Sequence, residues 1–217
     1  MKIKYLGHSC FEWTTQNGIK IITDPFTRVG YELPENIVAD IVTLSHAHFD
    51  HNYLKGLSKY EEVLKEAKTC SLSGIRFIGI DTWHDPQEGK LRGKNVVFKV
   101  ITDGMTLCHL GDLGEPCSQN LLDKIGEIDV LFLPIGGTYT LDYKQAFEYV
   151  EQLAPKIVIP MHYRPKDGIL DIQDATPFLN LCKDKEVVYV VGETEITAED
   201  LQQARKKIIY MERTDRI

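Results

Sequence analysis

Three imidazoles and a carboxylate fall within six residues at His46-Ala47-His48-Phe49-Asp50-His51. Imidazole nitrogen and carboxylate oxygen are the donors that a borderline-soft divalent cation such as Zn²⁺ accepts, and histidines two apart at the mouth of a strand can converge on one ion. Asp50 and His51 are adjacent, so their side chains point apart unless the backbone turns, which suggests two neighbouring metal positions. The remaining histidines are His8, His84, His109 and His162. His46, His48 and His84 would make a three-imidazole site with a fourth position left for water. Asp50, His51 and His162 would hold a second ion, with Asp112 bridging the two. A water shared by two cations is acidified enough to serve as hydroxide near neutral pH, so the set supplies nucleophile and Lewis acid together.

The residues outside the motif each keep a second reading. His84, between Trp83 and Asp85, also fits a histidine at the edge of the core. Asp112, flanked by Gly111 and Gly114, also fits an Asx turn. His162 is in the same position as His84, and His8 and His109 suit either hydrogen-bonded burial or support of the ligands from behind.

The elements that must position these groups are mostly strands. Ile41-Val42-Thr43-Leu44 is a short β-branched run directly ahead of the motif. Lys2 to Leu6, Cys10 to Thr14 and Lys20 to Thr23 read as an opening meander, with Asn17-Gly18 as a hairpin turn. Leu54 to Lys68 has apolar residues at helical spacing. Ser73 to Thr82, Val96 to Thr102 and Met105 to Leu110 are strand candidates, the last two joined at Asp103-Gly104. A short helix is expected over Ser118 to Ile125, then a buried strand over Val130 to Pro134. Thr140 is the expected cap of a helix from about Asp142 to Leu153. Lys156 to Pro160 is again a strand, Ile172 to Cys182 a helix capped by Asp171, Val187 to Val191 and Thr194 to Ile196 strands. Thr197 and Asp200 resemble a capping box for a last helix through about Lys206, with Ile208 to Met211 as a final edge strand. Histidines or aspartates follow the strands ending near Leu44, Ile80, Leu110 and Pro160, so four segments can deliver ligands to one edge.

The 217 residues fit one domain, 1–217, of α+β class. A formal charge of −7 without a basic track argues against nucleic acid. Five cysteines without a CxxC pair fit a reduced, cytoplasmic setting, and the start of the chain lacks the apolar run of a secretion signal. No apolar run is long enough to span a membrane. Oligomeric state is left open.

With HxHxDH in full, followed by His84, Asp112 in Gly-Asp-Leu-Gly and His162 in Pro-Met-His-Tyr, the sequence resembles the metallo-β-lactamase superfamily over nearly its whole length. Gly7-His8-Ser9-Cys10-Phe11 and Leu133-Pro134-Ile135-Gly136-Gly137 look most like its compact ascorbate-6-phosphate lactonase-like group. The resemblance implies an αββα four-layer sandwich of two mixed sheets and two divalent ions, Zn²⁺ first, with Mn²⁺ or Fe²⁺ as alternatives. It also strengthens His84, Asp112 and His162 as ligands. Asp112 stands where true zinc β-lactamases carry cysteine, and His48 where the flavodiiron branch carries glutamate, so both activities are disfavoured. Leu113 stands where many relatives have threonine.

The function expected is hydrolysis of a small lactone, ester or phosphoester, with Asp50 as the catalytic residue that holds metal and orients the nucleophile. Tyr139, Tyr163 and Arg164 are candidate substrate contacts, and Arg164, if it is not simply a surface arginine, suits an anionic substrate. The alternatives are a phosphodiesterase or ribonuclease acting on nucleic acid and a non-catalytic metal- or ligand-binding module.

Overall fold

The computed structural model describes residues 1–203 and 206–214. Its first sheet collects β1 (Lys2–Gly7), β2 (Cys10–Thr14), β3 (Lys20–Thr23), β4 (Ile41–Thr43) and β5 (Glu62–Leu64), with β13 (Glu193–Glu195) added beside β1. The second sheet holds β6 (Thr69–Leu72), β7 (Ile75–Trp83), β8 (Lys94–Thr102), β9 (Met105–His109), β10 (Val130–Pro134), β11 (Ile157–Met161), β12 (Glu186–Val191) and β14 (Lys207–Glu212). Its spatial order is β12-β14-β11-β10-β9-β8-β7-β6.

Alternation along each strand of the first sheet sends side chains to two different cores. Ile3, Phe11, Ile21, Ile41 and Leu64 face the second sheet within the main core. Leu6, Cys10, Ile22 and Val42 face outward into a smaller cluster with Phe26, Val29, Ile37 and Leu57. The two sheets meet at aromatic rings: Phe132 of β10 lies 4.8 Å from Phe11 and 4.7 Å from Trp13, centroid to centroid. β10 is buried throughout, as a strand in parallel pairing with both neighbours requires. Main-core side chains from α1 (Gln119–Ile125) and α2 (Tyr143–Leu153) include Leu121, Ile125, Ala146 and Tyr149. The result is a sandwich of two mixed sheets of the αββα kind, with few helices.

The helix expected over Leu54 to Lys68 is absent. A 3₁₀ turn covers Leu54–Gly56, and the chain then runs as β5, parallel to β4. Leu57 buries and Leu54 half-buries, but hydrogen-bonding demand at the edge of β4 overrides helical spacing; Leu44 N donates to Leu64 O at 2.8 Å. The layer over this sheet is therefore built from the 25–40 loop and a single turn.

Three boundaries also move. Asp142, not Thr140, caps α2, accepting from Lys144 N and Gln145 N in a full capping box. The helix expected from Ile172 shortens to α3 (Thr176–Leu181), because Pro177 suits only a first turn; Asp174 accepts from Thr176 N at 2.7 Å where Asp171 was the expected cap. The last strand is no edge, since β14 pairs in parallel with both β12 and β11. The Thr197–Asp200 box does open α4 (Ala198–Gln203), with Asp200 N donating to Thr197 Oγ1 at 3.1 Å. The expected extension through Ala204 and Arg205 lies outside the described residues.

Pairing fixes strand direction. β1 and β3 are both antiparallel to β2, and β4 is parallel to β3; likewise β7 and β9 flank β8, and β10 and β11 follow β9 in parallel. Within each sheet, these strands therefore end at the same edge.

Candidate metal centre

Six of those strand ends deliver a polar side chain. His8 follows β1, Asp24 follows β3, the histidine motif follows β4, His84 follows β7, Asp112 follows β9 and His162 follows β11. His8, Asp24 and His162 adopt left-handed backbone angles, φ 54°, 38° and 51°, which non-glycine residues hold only when surrounding contacts impose them. Gly111 (φ 56°) answers a different need: a Cβ there would meet Ser45 and stand 2.5 Å from Asn95 Oδ1.

Two clusters result. The rings of His46, His48 and His84 lie 4.6 to 5.0 Å apart. His8, Asp50, His51 and His162 form the second group, with donor atoms within 4.8 Å of one another. Asp112 stands between them. Its Oδ2 is 3.2 Å from both His84 Nε2 and His162 Nε2, and its Oδ1 is 3.1 Å from His51 Nε2. His8 Nε2 reaches Asp50 Oδ2 at 3.2 Å, so His8 sits among the donors themselves, nearer than a purely supporting role requires. His109 is fixed otherwise: Nε2 donates to Ser9 O at 2.9 Å and Nδ1 accepts from Gly111 N at 3.1 Å, so both nitrogens are committed to backbone.

Asp24 organises the motif from behind, and the sequence reading missed it. Its carboxylate accepts from Ser45 N (2.7 Å), Ser45 Oγ (2.6 Å) and His51 Nδ1 (2.9 Å). Ser45 spends its one proton on Asp24, so it accepts from His46 Nδ1 at 2.9 Å. Both histidines thus carry Nδ1–H and turn Nε2 toward the centre. Asn95 is the second omission. It donates to Thr82 Oγ1 and Leu110 O and accepts from Asp112 N at 2.9 Å, holding the Asp112 loop. The available signal for Asp24 was a carboxylate before proline at a strand end; Asn95 inside a strand gave none.

The donor set fits a cation. His46 Nε2, His51 Nε2, His84 Nδ1, Asp112 Oδ1 and both nitrogens of His162 are buried without a hydrogen-bond partner, which is costly for polar atoms facing only one another. Burial, with the neighbouring His51, pushes His46 down to about 3, and burial with His162 pushes His8 down to about 4, so both rings are neutral and ligand-ready. Burial alone would raise Asp112, but His162 and His51 hold it well below the usual carboxylate range. His51 goes the other way: against its burial, Asp112 and Asp24 raise it. A proton there occupies the place that a divalent cation would take.

Leu113 is fully buried in the main core, and its carbonyl accepts from Leu141 N at 3.0 Å, so it serves packing. Tyr163 and Arg164, two expected substrate contacts, follow His162 and line a small hollow with His8. The Tyr163 hydroxyl is buried and donates to Met211 O at 2.5 Å. Arg164 is exposed and also lines a larger hollow with Asp174 and Tyr189, away from the candidate ligands. Tyr139 is exposed beside Arg92, whose guanidinium lies 5.6 Å from the ring centroid. A cleft of about 870 Å³ opens beside His46 and His48.

A histidine and aspartate centre at one edge of an αββα sandwich defines a class, and comparison with known proteins narrows it. Residues 2–162 match the model of the β-lactamase superfamily domain, and the chain belongs to that family. A UPF0173 metal-dependent hydrolase of Thermococcus kodakarensis is 30% identical over 88% of this chain and 96% of its own length. One from Nanoarchaeum equitans is 34% identical over 75% and 84%. Among solved structures, a Thermotoga maritima protein assigned to the Zn-dependent hydrolases of the metallo-β-lactamase superfamily superposes with a TM-score of 0.79, at 34% identity and 98% coverage of both chains.

Proposed function

We propose that this protein is a metal-dependent hydrolase of a small lactone, ester or phosphoester, working with two divalent ions, Zn²⁺ foremost, in a reducing, cytoplasmic setting. The observation that carries the reading is the set of buried imidazole and carboxylate atoms left without hydrogen-bond partners on either side of Asp112. His46, His48 and His84 would hold one ion; Asp50, His51 and His162, with His8 within reach, would hold the other, and Asp112 would serve both. When bound, such ions supply Lewis acidity and lower the pKa of a shared water toward neutrality.

The chain's own residues do the rest. Asp24 and Ser45 fix the orientation of the His46 and His51 rings before any ligand arrives, so little reorganisation is needed. Asp50, whose carboxylate burial alone would raise, is held well below its ordinary value by His8 and His51 and is ionised throughout the neutral range. It can orient the attacking water by accepting a hydrogen bond from it. The cleft beside His46 is of a size suited to a small molecule.

Asp50→Ala, with metal content quantified on the same sample, tests the assignment. Hydrolysis of a lactone and ester panel is expected to fall by at least ~100-fold, the scale of a misplaced nucleophile. Full turnover in a correctly folded variant would overturn it.

A further inference from the structure

The cleft beside His46 and His48 carries cations that the hydrolytic reading leaves unused. Lys65, Arg92 and Lys94 line it together with apolar Leu44, Val63 and Val96. None of the three cations forms an ion pair among the described residues. Two acids share the lining, Glu66 and Asp81, but Glu66 is engaged by Lys68 at 3.1 Å. Three cations therefore face one uncompensated carboxylate, in a chain of formal charge −7. The excess is a local property of this cleft and does not follow from composition.

Arg92 is also built into place. It is half-buried, and its Nη2 donates to Thr138 O at 3.1 Å while the guanidinium lies over Tyr139. Its backbone N donates to Asp85 Oδ2 at 2.8 Å, and Asp85 accepts from Gln87, Gly89 and Leu91 as well, so one carboxylate gathers the whole turn. A guanidinium held this way loses little freedom on taking up an anion, whereas the exposed Lys65 and Lys94 attract one from solution.

We propose that the cleft is an anion subsite: the substrate places its scissile bond at the histidine end and a carboxylate or phosphate against Arg92, Lys94 and Lys65. This rests on the hydrolase reading for the meaning of scissile bond, but the anion site can be tested apart from turnover.

The test uses metal-loaded protein and three p-nitrophenyl esters, one with a neutral acyl chain, one ending in a carboxylate and one in a phosphate. The ratio of kcat/KM for an anionic ester to that for the neutral one is expected to be ~10 or more in the wild type, the scale of one well-placed charge-assisted pair. It should fall toward one in Arg92→Gln and Lys94→Gln, and as salt rises. Lys94 is exposed, so its variant does not put folding at risk. The arm that shows the preference names the anion. A wild-type ratio near one, or a ratio unchanged in both variants, overturns the subsite. Titration with glutarate and with propyl phosphate separates the two readings. Binding that Arg92→Gln weakens, without turnover of any ester, sinks the hydrolase and keeps the subsite; neutral-ester turnover with neither binding nor anionic preference does the reverse.

Discussion

Asp24 determines how the motif histidines present themselves, and the effect reduces to one proton. Its Oδ2 accepts from His51 Nδ1, which leaves Nε2 free for a cation. Asp24→Asn can keep an acceptor for Ser45 N but turns an NH₂ toward His51 Nδ1–H, donor against donor, and drives the ring to the opposite tautomer. Metal affinity is expected to fall by ~10- to 100-fold, as for other supporting partners of ligating histidines. Competition against a chromophoric chelator measures it, and unchanged affinity would remove Asp24 from the centre. None of this was legible from spacing: Asp24 lies more than twenty residues before the motif and meets it only because β3 and β4 pair in parallel. The motif itself was legible because its donors are contiguous, and one strand end carries them all.

At the scale of elements, the sandwich depends on contact between β2 and β10. Phe132 is fully buried against Phe11 and Trp13. Phe132→Ala should destabilise by ~3–5 kcal/mol, read as a lowered urea midpoint at constant slope. The 85–93 turn is a second element with a single anchor. Burial raises the Asp85 carboxyl, but the four backbone N–H groups it accepts from together hold it below the usual value. Asp85→Asn replaces one accepting oxygen by a donor, so amide exchange at Gln87, Gly89, Leu91 and Arg92 should accelerate while β7 and β8 keep their protection. Exchange that stays slow in the turn would show that Asp85 is not its anchor. Strand alternation in the first sheet was readable from the sequence. The 54–68 segment was not, because its apolar spacing suits a helix and only the open edge of β4 made it a strand.

For the whole molecule, the centre gathers neutral imidazoles and ionised carboxylates that are stable together only within limits of pH and metal. His46 and His8, at about 3 and about 4, lie below the 6.5 of an unfolded histidine. The unfolded chain therefore binds more protons as pH falls below 6.5, and stability present above that value is progressively lost on the way to pH 4. His51, raised, opposes this from the other side, losing its contribution as pH climbs through its folded value. With two such histidines against one, and His48 lowered as well, the metal-free protein should melt at falling temperature from about pH 6.5 to about pH 4; a flat profile would contradict the assignment of neutral rings. Metal acts on the same balance. Ions held at ~100 times their dissociation constant add ~2.7 kcal/mol per site, so a chelator should lower Tm markedly, and equal melting with and without it would speak against tight sites. The sequence by itself determined the chemistry at HxHxDH, the alternating strands and the family resemblance, because these are written in contiguous residues and short periods. The tertiary structure alone decided which distant groups complete the site. It brought in Asp24 and Asn95 and set Arg92, Lys65 and Lys94 beside His46. It tied the Tyr163 hydroxyl to Met211 O just past the left-handed turn at His162, since the direction of a side chain after a strand depends on backbone angles that only packing fixes.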